Sequence, residues 1–189
     1  MISAILLTAG QSKRMCGENK LTKKIQGIPL IKHSVENILS SSIDELIVVV
    51  GYQKEIIEKL IDKNVKIKFV FNKNFESGMA SSIKTGLNHL SDDTEAFFIC
   101  LGDMPMVNKD VFNLLIKSKN NKEIIVPTYN GKQGNPVLFS KSMKKQIMTI
   151  EGDAGAKKIL KLNKNKILYI KTNDQYIMKN YNSQNDFNL

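Results

Sequence analysis

Four runs of nearly continuous apolar residues, ISAILLT (2–8), ELIVVVG (45–51), KIKFVFN (66–72) and AFFICLG (96–102), each followed by a helical pattern, constrain the fold most. A strand with helices on both faces loses the alternation of a half-exposed strand, so these runs predict an α/β fold with a mostly parallel central sheet. The helical patterns fall at 29–41, 52–63, 81–90 and 109–118. After them, EIIVPTYNGKQGNPVLFS (123–140) reads as two strands joined by a glycine-rich turn, a mixed or antiparallel excursion from the parallel order. Helices at 141–149 and near 154–162 and a last strand, KILYIKT, complete the pattern. No linker or repeat divides the chain, so residues 1–189 are expected to form one domain, with the polar tail from about 180 fraying.

Composition narrows the partners. No apolar run reaches the ~20 residues of a membrane helix, and no basic segment precedes the apolar N-terminus, so a cytoplasmic protein with no membrane partner is expected. The two cysteines, Cys16 and Cys100, lie far apart with no Cys/His cluster, which supports neither a disulfide framework nor a zinc site. The net charge of +10 comes from 28 basic residues, of which 27 are scattered lysines and one is Arg14. Without an aromatic-lined basic strand or a recognition helix, that charge does not indicate a specific nucleic-acid partner. Arg14 differs from the lysines in offering a fixed fork of donors suited to phosphate.

In open α/β sheets the ligand crevice lies at the carboxyl ends of the strands. Three loops there carry unusual chemistry. The first, LLTAGQSKRMCGENK (6–20), leaves a strand at Gly10 and sets Arg14 and Lys20 six residues apart, able to aim backbone N–H groups and two cations at a polyphosphate. It is neither a Walker A loop nor a dinucleotide fingerprint. The second, FFICLGDMPMV (97–107), ends at Gly102 with Asp103 at the strand tip, a carboxylate suited to Mg²⁺. Asn108 already supplies the N-cap of the next helix, which weakens a capping role for Asp103. The third, NFESGMASSIKTGL (74–87), places Gly78, Ser81 and Ser82 at a helix N-terminus whose free N–H groups suit a ribose, base or phosphate; a plain N-cap by Ser77 or Ser81 accounts for it almost as well. Further along, Asp153 reads equally as a second metal carboxylate or as the cap of a helix starting at Ala154. His33 and His89 have no partner at ligand spacing.

Taken in order, LLTAGQSKRMCGENKL, ESGMASSIKTGL, LGDMPMV, GKQGNPVLF and GDAGAKKIL resemble the successive motifs of the molybdenum cofactor cytidylyltransferase family, within the molybdopterin nucleotidyltransferases. The resemblance spans about residues 2–171 and implies a single-domain, three-layer Rossmann-like nucleotidyltransferase fold of the GT-A type. It implies that Ala9 and Gly10 border the nucleotide base, with Thr8, Gly78 and Gly102 on the nucleotide side. Arg14 and Lys20 then hold the triphosphate, Ser82 approaches the nucleoside, and Asp103 binds Mg²⁺, with Asp153 as a further metal candidate. Ala9 stands where the guanylyltransferase branch carries Gly, which points to CTP. The implied acceptor is a molybdenum-bound molybdopterin, near Asn135, and the implied recipient of the product is a molybdenum hydroxylase. Three departures from the pattern stand out. Cys16 replaces the first Gly of a Gly-Gly pair, Asn135 replaces a His, and Asn180 and Asn182 in NYNSQND replace the acids of a D-I-D-T-P-E-D ending.

Overall fold

The computed structural model describes residues 1–12, 18–153 and 155–187. In chain order, strand β1 (Ile2–Leu7) is followed by a hairpin of β2 (Lys24–Ile25) and β3 (Ile28–Pro29), then helix α1 (Leu30–Leu39). Next come β4 (Glu45–Val50), α2 (Lys54–Leu60), β5 (Ile67–Phe71), α3 (Met79–Asn88), β6 (Ala96–Leu101) and α4 (Lys109–Lys117). The chain ends with β7 (Ile124–Tyr129), β8 (Lys132–Gln133), β9 (Val137–Ser140), α5 (Lys144–Ile147), α6 (Lys157–Leu162) and β10 (Ile167–Lys171).

The larger sheet runs β10-β7-β9-β6-β1-β4-β5, with β8 paired to β7. β1 lies between β4 and β6, parallel to both, and β5 extends the parallel set beyond β4. β9 enters antiparallel between β6 and β7, and β10 returns parallel to β7. This is the expected α/β architecture, including the excursion at 123–140.

Successive residues of a strand point to opposite faces, so each central strand feeds two cores. Leu6, Val48 and Phe98 join α1 and α4 through Leu30, Ile31, Phe112 and Leu115 on one face. On the other, Ile5, Val49 and Phe97 meet Ile83 and Leu87 of α3, Ile147 of α5 and Ile159 of α6. Burial on both faces is why these strands read as unbroken apolar runs. Among the described residues no helix is long and apolar enough to cross a membrane.

Three differences from the sequence reading have local causes. The β2–β3 hairpin turns at Gln26 and Gly27, both with positive φ (51° and 82°), a tight turn whose two-residue strands are too short to show a period. The helix expected from 154 starts at Lys157. The tail, expected to fray, is tied down: Tyr181 is fully buried, its ring lies edge-on to Phe187 at 5.6 Å, and its N–H donates to the Asp103 carbonyl.

Because β1, β4, β5 and β6 are parallel, their carboxyl ends share one edge of the sheet, where the three chemically unusual loops gather.

Candidate active site

A cavity of about 300 Å³ opens at that edge, between the ends of β1 and β6. From the strand ends it is lined by Thr8, Ala9, Gly10, Gly102 and Asp103, with Lys20 beside them. Gly78 and Ser82 of the α3 segment and Asp153 complete the wall. Nine of the predicted positions therefore meet in one place. Arg14 and Cys16 lie outside the described residues. Asn135 is set apart: it borders a crevice of about 20 Å³ beside Ser34 and Cys100, and its N–H donates to the Ile177 carbonyl. A wider cleft of about 770 Å³ lies across the shared Phe75–Glu76 wall; of the residues singled out in sequence, Ser77 and Ser81 line it.

The geometry around Lys20 is built from its neighbours. A 3₁₀ turn, Lys20–Thr22, buries Leu21 in the core, and the buried Asn19 caps it by accepting from the Leu21 N–H at 3.1 Å. The Lys20 N–H donates to Ser12 Oγ at 3.1 Å, so the backbone is held while the side chain reaches into the cavity. There Lys20 Nζ pairs with Asp103 Oδ2 at 2.5 Å and donates to Asn182 Oδ1 at 2.8 Å. Asn180 Nδ2 donates to the other carboxylate oxygen, Asp103 Oδ1, at 3.2 Å. In sequence Asn180 and Asn182 stand out only as replacements for the acids of the D-I-D-T-P-E-D ending. They arrive because Asp186 Oδ2 accepts from the Asn182 N–H, the Ser183 N–H and Ser183 Oγ at 2.8–2.9 Å, folding the tail back on itself. Those donors, the Asn182 N–H first, hold the Asp186 carboxyl below its usual range.

The N-terminus of α3 differs from expectation. Its first N–H groups are taken: Met79 N–H donates to Asp153 Oδ1 at 3.1 Å and Ala80 N–H to the Gly152 carbonyl at 2.9 Å. Asp153 thus caps a helix 74 residues away in sequence, not the helix that follows it. Gly78 makes this docking possible. Its φ is +104°, and a Cβ there would lie 2.7 Å from the Gly152 carbonyl carbon. Ser82 Oγ accepts from Asn72 Nδ2 at 3.0 Å, and Ser81 Oγ from the same amide at 2.7 Å. Asn72, buried at the end of β5, is a residue that sequence pattern did not single out.

Other reactive side chains are engaged elsewhere. Thr8 Oγ1 donates to the Val49 carbonyl at 2.8 Å, so it ties β1 to β4. His33 Nε2 lies 3.1 Å from the Ile25 carbonyl and His89 Nδ1 2.8 Å from the Thr85 carbonyl. Burial pushes the Cys100 thiol well above its ordinary pKa, which leaves it unreactive. Among the described residues no group of three or more His, Cys, Asp and Glu side chains could hold a metal.

Comparison with known proteins finds relatives both by sequence and by fold. Residues 4–167 match the family model described as the MobA-like NTP transferase domain. A probable molybdenum cofactor guanylyltransferase from Methanosarcina acetivorans is 30% identical over 79% of this chain and 67% of its own length. A molybdenum cofactor cytidylyltransferase from Escherichia coli K12 is also 30% identical, over 74% of this chain and 70% of its own. A solved nucleotidyl transferase from Methanothermobacter superposes with a TM-score of 0.85 at 18% identity, covering 99% of this chain and 94% of that one.

Proposed function

Because the chain belongs to the MobA-like NTP transferase family and is therefore a nucleotidyltransferase, we propose that CTP is its donor and the terminal phosphate of a molybdenum-bound pterin its acceptor. The observation that carries this reading is the convergence of the Lys20 ammonium and the Asp103 carboxylate on one strand-end cavity bordered by Ala9 and Gly10. A phosphate oxygen of the acceptor attacks the α-phosphorus of CTP, the bond from that phosphorus to the β-phosphate oxygen breaks, and pyrophosphate departs. That nucleophile is ionised near neutral pH, so no general base is needed, and positioning with charge neutralisation supplies the rate.

Lys20 and Arg14 are assigned to the triphosphate, where they neutralise the departing pyrophosphate. The cavity fits Mg²⁺, because Asp103 Oδ2 and Asn182 Oδ1, both oxygen donors, already converge on a cation, the Lys20 ammonium. Asp103 would hold the metal, with an amide oxygen of Asn180 or Asn182 beside it. When bound, Mg²⁺ draws charge from the phosphate oxygens. Ser82, fixed by Asn72, faces the nucleoside, and the product would pass to a molybdenum hydroxylase.

GTP is the second reading, supported by the equal identity to a guanylyltransferase relative. The assay is pyrophosphate release by purified protein with Mg²⁺ and molybdenum-bound pterin, supplied in parallel with CTP, GTP, ATP or UTP. Release with CTP alone supports the proposal, and release with GTP alone overturns the donor. Silence with all four, despite bound pterin, overturns transfer in favour of a non-catalytic carrier.

A further inference from the structure

The Lys20–Asp103 pair has a second consequence, which rests on the assignment of Asp103 to the metal. Both oxygens of that carboxylate are engaged: Oδ2 by the Lys20 ammonium at 2.5 Å, and Oδ1 by the Asn180 amide at 3.2 Å. Asn182 Oδ1, a neutral oxygen, accepts from the same ammonium at 2.8 Å. The side chains of Lys20 and Asp103 are only 19% and 13% exposed, so water screens the pair poorly. A divalent cation approaching Asp103 meets like charge on an already neutralised carboxylate. We propose that Lys20 is a resident counter-cation that excludes free divalent metal from Asp103, so that metal enters together with the nucleotide.

The exchange needs little motion. The Lys20 backbone is anchored by Ser12 Oγ and by the buried Leu21, whereas its four-carbon stem can pivot. A triphosphate offers the ammonium several negative charges in place of one. As Lys20 turns to them, Asp103 Oδ2 and Asn182 Oδ1 are released to the cation carried on that triphosphate. Free metal is thereby rejected and the metal–nucleotide complex accepted, with no moving domain.

The test is direct binding of Mn²⁺ alone, followed by loss of the electron paramagnetic resonance signal of the free ion, in the wild type, K20M, K20R and K20M/D103N. Circular dichroism verifies the fold of each, and K20R keeps the charge if K20M does not fold. K20M is expected to bind Mn²⁺ at least tenfold more tightly than the wild type, K20R to match the wild type, and K20M/D103N to lose the gain. Equal binding by K20M and the wild type, or tighter binding by K20R, overturns the exclusion. A second arm measures water-proton relaxation by Mn²⁺ with CTP or GTP on the wild type and D103N. If D103N equals the wild type there, the assignment of Asp103 fails. If D103N loses the enhancement while K20M shows no gain, only the exclusion fails.

Discussion

Gly78→Ala tests the docking that shapes one wall of the cavity. The new Cβ would lie 2.7 Å from the Gly152 carbonyl carbon and 2.8 Å from Asp153 Oδ1, and the backbone stands at φ +104°. The contacts are backbone and a short side chain, so the clash is relieved only by separating the 152–153 loop from α3. That separation breaks Met79 N–H to Asp153 Oδ1 and Ala80 N–H to the Gly152 carbonyl. The backbone strain costs about 1–3 kcal/mol. The two hydrogen bonds contribute about 0.5–1.5 kcal/mol each, for a central loss of about 4 kcal/mol. At about 3 °C per kcal/mol for a chain of this size, Tm should fall by about 12 °C. Gly131→Ala is the internal control: its φ is also positive, at +74°, but nothing lies within 4 Å of a Cβ there. Strain alone then costs about 1 kcal/mol, or about 3 °C. Differential scanning calorimetry of both variants compares them. A Gly78→Ala loss no larger than that of Gly131→Ala would refute the docking argument.

The remaining predictions concern chemistry and the tail. Asp103→Ala should lower pyrophosphate release by at least about a hundredfold, as loss of a group that stabilises transition-state charge does, with an unchanged circular dichroism spectrum; activity near wild type would sink the proposed function. Arg14→Ala should do the same in the same assay. Tyr181→Phe should cost less than about 1 kcal/mol in urea unfolding or should stabilise, because the Tyr181 hydroxyl is buried without a hydrogen-bond partner among the described residues; a larger loss would mean the hydroxyl is satisfied. The Asp186 carboxyl is held low by its N–H donors, so its contribution is complete above its ordinary pKa of about 3.9 and is lost as pH falls through the lower folded value. The Ser183 amide proton, followed by nuclear magnetic resonance, should therefore titrate with a midpoint below the ordinary value and not at all in D186N; a midpoint at or above it would contradict the clasp.

The central strands and the location of the site were legible in the sequence for one physical reason. β1, β4 and β6 bury both faces, so solvation alone writes them as unbroken apolar runs, and the residue after such a run must stand at the strand tip. Asp103 and Gly10 could be placed by that logic without knowing any contact. Lys20 was legible for its charge on a strand-end loop, though not for its pairing with Asp103, 83 residues away. Asn180 and Asn182 reach Asp103 and Lys20 across 77 and 162 residues, brought there by Tyr181 and the Asp186 clasp. Asp153 was ambiguous in sequence because a carboxylate before a helix caps it or binds a metal with equal ease. The fold turned that carboxylate to the N-terminus of α3 instead, and Asn72, unremarkable in sequence, was turned to Ser81 and Ser82. Local solvation and chain stiffness, which act within a few residues, determined the elements and the strand-tip chemistry. The choice of hydrogen-bond partner for each polar side chain was decided only by tertiary structure, since it depends on which distant segments the folded sheet brings within about 3 Å.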